Sequence, residues 1–285
     1  MKSAVRLLQR VARTVSIVLL VIVGSTLLVR LAPGYLSDAR EMDSRDADAA
    51  RAELSVEAAH SNSLPHMLSR ELSGWTRGDL GVSRQFEVPV RELVLPRLAV
   101  TGSLMLRSIL FAWTLALCAA LVSSATRNPS LLWQIPAAIL LAVPTAAMAT
   151  ICLLADSGSP VLVMTLLLAA RDFKFLDRIL RKTWRDSHLL QARAQGLRTL
   201  QLLHAHLLPA IVPQLLALAT LSIVTALSAL VPVEVIFNVP GLGQLAWNAA
   251  MNRDLPVLLA VTVIMALAVT LARMASDRPA EWEAA

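Results

Sequence analysis

Residues able to do chemistry are few in this sequence, and their spacing does not assemble a catalytic set. His204 and His206 stand two apart, so on a helix they point in different directions, unlike the i, i+4 pair of an HExxH zinc site. His60 and His66 have no Cys/His cluster beside them and read as solvated or interfacial histidines. Cys118 and Cys152 both fall within apolar runs and nothing resembles CxxC, so they read as small buried hydrophobes rather than a disulfide or metal pair. No metal site is expected. The sequence holds neither a GxxxxGK[ST] phosphate loop nor a GxSxG elbow, so this chain binds no ATP through a P-loop and is not expected to be an enzyme. What remains are charges embedded in apolar surroundings. Arg107, Arg171, Asp172 and Lys174 either line a polar path or snorkel to an interface. Glu234, among apolar neighbours, is either a pathway residue or an interfacial acid paired with a base.

The elements that must position these charges are set by composition. Of 285 residues, 56% are hydrophobic and only 16% charged, with a mean hydropathy of +0.63. A soluble domain is nearer 45–50% apolar and about 25% charged. The excess excludes disorder and argues against an ordinary soluble enzyme. A net charge of +6 raises nucleic acid as a partner, but aromatics are 4% and the apolar runs are too long for a soluble binder, so none is expected.

A bilayer core needs about 20 apolar residues in helix. Six runs qualify: residues 15–29, 104–122 (interrupted only by Arg107), 131–154 (carrying Pro136 and Pro144), 160–170 continuing through a charged stretch to 180, 207–231, and 255–271. The fold expected is all-α: a polytopic membrane protein of about six transmembrane helices. The basic start and apolar middle of the first run fit a signal peptide, but its exit, Val29-Arg30-Leu31-Ala32-Pro33-Gly34, has no small-x-small cleavage site. An uncleaved span is the better reading.

Lys and Arg in short loops set orientation. The N-terminus carries Lys2, Arg6, Arg10 and Arg13, the stretch 171–206 carries eight basic residues, and the C-terminal tail carries Arg273 and Arg278. On the other side, 155–159 carries none and 232–254 only Arg253. Both termini and 171–206 are therefore expected to be cytoplasmic. Residues 33–100 hold eight Arg against eleven acids and are long enough to escape the rule. They read as a mainly helical extracytoplasmic cap, with helix over 46–59 and a turn over 74–81.

The basic stretch 171–206 keeps helical apolar spacing, broken at Gly196. Spacing alone leaves two readings open: a basic loop on the membrane surface, or a docking helix for a soluble partner.

Several motifs in this sequence resemble one family. Gln191-Ala192-Arg193-Ala194-Gln195-Gly196-Leu197, followed by His206-Leu207-Leu208-Pro209, resembles the cytoplasmic docking signature of ABC importer permeases of the oligopeptide/dipeptide (and nickel) branch. Arg30-Leu31-Ala32-Pro33-Gly34 resembles the exit of that branch's first span, and Gly78-Asp79-Leu80-Gly81-Val82-Ser83 its G-D-L-G-x-S motif, typical of the first of two permeases. Pro89-Val90 and Arg97-Leu98-Ala99-Val100-Thr101 are similar to the P-V and R-L-x-x-T of the same branch. Later, Val233-Glu234-Val235-Ile236-Phe237-Asn238-Val239-Pro240-Gly241-Leu242-Gly243 resembles V-E-x-x-F-x-x-P-G-L-G, and Arg253-Asp254-Leu255-Pro256 resembles R-D-x-P. The motifs occur in order over nearly the whole chain. Departures are His188 for the usual Tyr, Leu190 where other ABC importers carry an acid, Gln195 for Lys, Ala272 for an Asn, and Asp277-Arg278-Pro279 for D-P-R.

The resemblance implies a half-channel in a bacterial cytoplasmic (inner) membrane. Its partners would be a homologous second permease, two cytoplasmic ATPases, an extracytoplasmic binding protein and the lipid bilayer. ATP and Mg would be held by the ATPases, and this chain would carry no cofactor. Its implied layout is an N-terminus and first span over 1–32, the cap over 33–100, a permease core over 101–274 with a coupling segment at 181–206, and a tail over 275–285. The ATPase-docking residues would be Ala192, Arg193, Ala194, Gln195, Gly196, Leu197 and His206. Gate or pathway candidates are Glu234, Phe237, Pro240, Gly241, Gly243, Arg107, Arg171 and Asp172. Gly78, Asp79 and Gly81 are candidates for contact with the binding protein, unless the cap is a lid packed on its own spans. Alternatives are an ion-driven secondary transporter, which would need broken helices paired between two halves, an intramembrane enzyme, or a divergent subunit that does not transport.

Overall fold

The computed structural model describes residues 78–125, 131–155, 158–184 and 208–276, with positions 12–14, 16, 19, 20, 22–24, 27 and 74. Seven helices are formed among them: α1 Val90–Ala125, α2 Leu131–Ala142, α3 Thr145–Leu154, α4 Pro160–Trp184, α5 Leu208–Ile236, α6 Leu242–Met251 and α7 Leu255–Ser276. The described positions between 12 and 27 are also helical. Among the described residues the only strand-like feature is one antiparallel bridge, Val82 to Pro89. Among the described residues, three helices are long and apolar enough to cross a membrane: Val90–Ser123, Ile211–Ile236 and Leu255–Met274. In hydrocarbon a helix satisfies all its backbone groups internally, which is why these apolar runs take this form.

The run 131–154, expected as one span, is broken. α2 and α3 meet at a bend of 99°. Pro144 sits at the break with φ −58° and ψ 139°. A proline disfavours helical backbone at the residue before it and cannot donate back into the preceding turn. The pair counts as one bent span, making four among the described residues, or as a re-entrant loop.

The chain forms two compact units, residues 1–100 with 240–268, and residues 101–239 with 269–285. The first has a core of Val90, Val94, Leu242, Leu245, Ala249, Val257, Ala260 and Val261, with Leu80 packed against it. The second has a core of Ala116, Ala120, Ala137, Ala170, Phe173, Leu176, Leu180, Ile211 and Leu218. There α4 packs most closely on α5 and α2, and the Trp133 ring lies 6.5 Å from that of Phe173.

The buried stripe of α1 within the second unit is Thr101, Leu104, Ser108, Ala112, Ala116, Ala120 and Ser123. These are mostly small residues three or four apart, so neighbouring helices approach closely. Its other face exposes Leu106, Leu110 and Phe111 to about 60%. An apolar exterior over a small-residue interior is the pattern of a helix whose outer solvent is lipid. Cys118, expected to be buried, is exposed on this helix, and Cys152 is half-buried. A thiol is apolar enough to face lipid, so an apolar run did not imply a protein core.

Candidate docking and translocation sites

In the first unit, two motifs far apart in sequence form one polar joint. Gly74 is helical, and Asp79 N–H donates to its carbonyl at 2.9 Å. Gly78 takes φ +77°, a left-handed backbone that glycine adopts without steric cost. Asp79 Oδ1 then accepts from Gly81 N–H at 2.9 Å. Gly81 itself takes φ +82°, and a Cβ there would lie 3.6 Å from the Pro256 Cβ. The glycines of G-D-L-G are therefore required by positive φ. Gly78 and Asp79 are exposed, and Gly81 is half-buried.

Ser83 ends this motif with its side chain buried. Its Oγ donates to Asp254 Oδ2 at 2.5 Å and accepts from Phe86 N–H at 3.0 Å. Gln85 N–H donates to the same Oδ2 at 3.2 Å. Asp254 is 1% exposed, and its other oxygen has no partner among the described residues. Its backbone closes α6, donating to Ala249 O at 2.8 Å, and opens α7, accepting from Leu258 N–H at 3.0 Å. Arg253, just before it, takes φ +55°. G-D-L-G-x-S and R-D-x-P thus meet through Ser83 and Asp254. Neither was singled out as a site residue from sequence, although both stood in the quoted motifs.

In the second unit, Glu234 belongs to the last turn of α5, not to a loop beyond the helix as the end of the apolar run at 231 suggested. It is fully buried and accepts from Thr101 Oγ1 of α1 at 2.7 Å. The helix closes just after it. Val239 N–H donates to Glu234 O at 2.8 Å and Asn238 N–H to Val235 O at 3.2 Å. Asn238 takes φ +51°, a conformation asparagine tolerates better than most residues. Phe237 is half-buried. Of the other residues in this motif, Pro240 is exposed, while Gly241 and Gly243 are buried. Gly241 caps α6 in extended conformation, and its carbonyl accepts from Leu245 N–H at 3.0 Å.

The charges of α4 divide by face. Asp172 is fully buried and accepts from Ser222 Oγ of α5 at 2.9–3.0 Å. Trp113 Nε1 of α1 donates to the same Ser222 Oγ at 3.3 Å. Asp177, also buried, accepts from Gln134 Nε2 of α2 at 3.2 Å and pairs with Arg181 Nε at 2.9 Å. Arg181 Nη2 reaches the Ser123 carbonyl of α1 at 2.6 Å and its Oγ at 2.8 Å. Both acids therefore stitch helices together. Sequence reasoning missed Asp177, Arg181, Ser123 and Gln134. The only available signal was the i, i+4 spacing of Asp177 and Arg181.

Arg171 is half-buried, with Nη2 shielded from solvent and without a partner among the described residues. Arg107 lies on the exposed face of α1, donating from Nε to Ser103 O and from Nη2 to Ser103 Oγ, both at 3.1 Å. The docking residues Ala192, Arg193, Ala194, Gln195, Gly196, Leu197 and His206 lie outside the described residues, as do His60, His66 and His204. So does the expected helix over 46–59. Of 181–206, only residues 181–184 are described. Among the described residues no group of three or more His, Cys, Asp or Glu could hold a metal.

Helices with lipid-compatible exteriors, and buried polar residues that join them, define a polytopic helical membrane protein. A family model described as "Binding-protein-dependent transport system inner membrane component" matches residues 104–279, and the chain belongs to that family. Among its relatives is the glutathione transport system permease protein of Pectobacterium atrosepticum, 27% identical and covering 95% of this chain and 94% of that one. The oligopeptide transport system permease protein of Bacillus subtilis is 33% identical over 39% of this chain and 36% of its own. A chain of the MetNI methionine ABC transporter, in an inward-facing form, shares the fold with a TM-score of 0.57 at 18% identity. It matches 68% of this chain and 96% of that chain. The chain is thus a permease subunit of an ABC importer.

Proposed function

We propose that this chain forms one half of the path of an importer for small peptides or similar solutes, working beside a homologous second permease. The observation that carries the reading is the likeness to a glutathione permease over nearly the full length of both chains. The oligopeptide permease match supports the same cargo class. ATP and Mg belong to two cytoplasmic ATPases, which supply the energy. An extracytoplasmic binding protein delivers the cargo, with Gly78, Asp79 and Gly81 on the delivery side. Both chain termini and the segment beyond α4 face the cytoplasm.

Residues 192–203 act as the coupling helix. Closure of the ATPases moves this helix, and the motion turns the cavity outward. Coupling of this kind requires different contacts in the two states, not attachment alone. α4 leads into the segment, and the Arg181–Asp177 pair with Ser123 and Gln134 supports transmission from it to α1 and α2. Glu234, Phe237, Pro240, Gly241 and Gly243 contribute to the extracytoplasmic gate.

The test is reconstitution with a homologous second permease, two ATPases and a binding protein of the same importer. ATP-dependent uptake of glutathione or small peptides is expected, and uptake without the ATPases would refute the reading. In the same system Gly196→Val should lower both transport and ATPase coupling while membrane insertion is retained. Unchanged uptake by the assembled variant would remove the assigned coupling role.

A further inference from the structure

Four of the five basic residues of α4, all but Arg181, form a ladder that no hydrogen bond or ion pair among the described residues uses. Arg171, Lys174, Arg178 and Lys182 stand at i, i+3, i+7 and i+11. At about 100° per residue they fall within an arc of roughly 80°, spread over roughly 16 Å of helix axis. Phe173, Leu176 and Leu180 occupy the opposite face, within the core. Arg171 and Lys174 are half-buried, while Arg178 and Lys182 are exposed. One Arg171 nitrogen is both buried and unpartnered among the described residues. The neighbouring acids offset the ladder only in part: Asp177 is paired with Arg181, and Asp172, which accepts from Ser222, acts electrostatically on Arg171, so the row keeps a net positive charge.

Such a row has two natural occupants, lipid headgroups or the contents of a water-filled path. α4 packs along the span α5: Asp172 meets Ser222, and Leu176 and Leu180 share a cluster with Ile211 and Leu218. Each headgroup layer is only about 5–8 Å thick, so a row of roughly 16 Å along a span reaches well beyond it. Within membrane depth, charged side chains face a protein interior or a watery cavity. A cavity wall of one sign concentrates counter-ions and repels like charge.

We propose that this ladder lines the cytoplasmic half of the path and selects net-anionic cargo, with its guanidinium and ammonium groups receiving carboxylates. The proposal rests on the importer reading and adds the charge class of the solute.

The test uses the complete reconstituted complex and three tripeptides of equal length, with central glutamate, alanine or lysine. Uptake is measured per loaded binding protein, so that the binding protein's own preference cancels. The wild type should favour the acidic over the basic peptide. Changing all four residues to Gln should cut acidic uptake about tenfold or more while alanine-peptide uptake changes less than about twofold. Arg171→Lys with Arg178→Lys should keep the preference. A wild type without charge discrimination overturns the proposal, as does an equal fall for all three peptides, which would mark a structural role. Loss of stimulation by anionic phospholipid, with cargo preference intact, overturns it in favour of a lipid contact. Absence of ATP-driven uptake of any peptide would remove the importer reading along with it. Uptake without discrimination removes only the ladder's role.

Discussion

Ser83 and Asp254 show how one buried pair can join two sequence motifs 171 residues apart. A hydrogen bond to a charged group contributes about 1.5–3 kcal/mol, and more is lost when the partner stays buried. Ser83→Ala should therefore lower stability in detergent by about 2 kcal/mol. A double-mutant cycle with Asp254→Asn, monitored by thermal unfolding, should give a coupling of about 1 kcal/mol or more. Strict additivity would show that the two groups do not act together. Arg253, with φ +55°, is a second residue-scale case. Left-handed backbone costs a side chain about 1–2 kcal/mol, so Arg253→Gly should raise stability by about 1 kcal/mol. A fall would show that the side chain returns more than the backbone loses. The motif R-D-x-P was visible in the sequence. Its backbone conformation was not, because φ is set by how α6 ends and α7 begins.

At the scale of elements, α3 and α4 are joined through Gly158, where a Cβ would lie 2.6 Å from the Cys152 Cβ and 2.7 Å from its carbonyl oxygen. Gly158→Ala cannot be accommodated without backbone movement. It should cost about 1–3 kcal/mol, read as a lower unfolding temperature of the purified protein. An unchanged temperature would mean the join relaxes freely. The packing of α4 on α5 depends on Ser222 as well as on apolar residues. Ser222→Ala removes the hydroxyl donor from the buried Asp172 and should destabilise by about 1.5–3 kcal/mol. Asp172→Asn combined with it should cost less than the two changes summed, because the unpaired charge is then gone. Helix existence was well marked by apolar runs, since lipid enforces helix wherever about 20 such residues stand in a row. Helix ends were less well marked: α1 starts at Val90 and α5 runs to Ile236, both beyond their apolar stretches. Internal hydrogen bonding carries a helix past the point where hydropathy falls.

For the whole molecule, the exterior of α1 predicts its surroundings. Cys118 is exposed on that helix. In intact membranes it should resist a charged, water-soluble maleimide, because lipid keeps the charged reagent away from the thiol. The thiol should react once detergent replaces the bilayer with an accessible surface, checked by mass shift. Prompt labelling in intact vesicles would place Cys118 against water. The apolar excess of the composition, which first pointed away from a soluble protein, appears here as side chains that a soluble fold would have buried.

What the sequence by itself determined is the class and order of the parts. Composition required a membrane solvent, apolar length required helices, and the ordered motifs resembled the permease family to which the chain belongs. Tertiary structure alone decided the state of each charge. Glu234 is fully buried against Thr101, Asp172 and Asp177 turn inward to Ser222, Gln134 and Arg181, and Arg171, Lys174, Arg178 and Lys182 make no hydrogen bond or ion pair among the described residues. The physical reason is that a charge takes its meaning from its surroundings. An acid in an apolar run reads alike whether it binds cargo or joins helices, until the donors brought to it by distant segments are known.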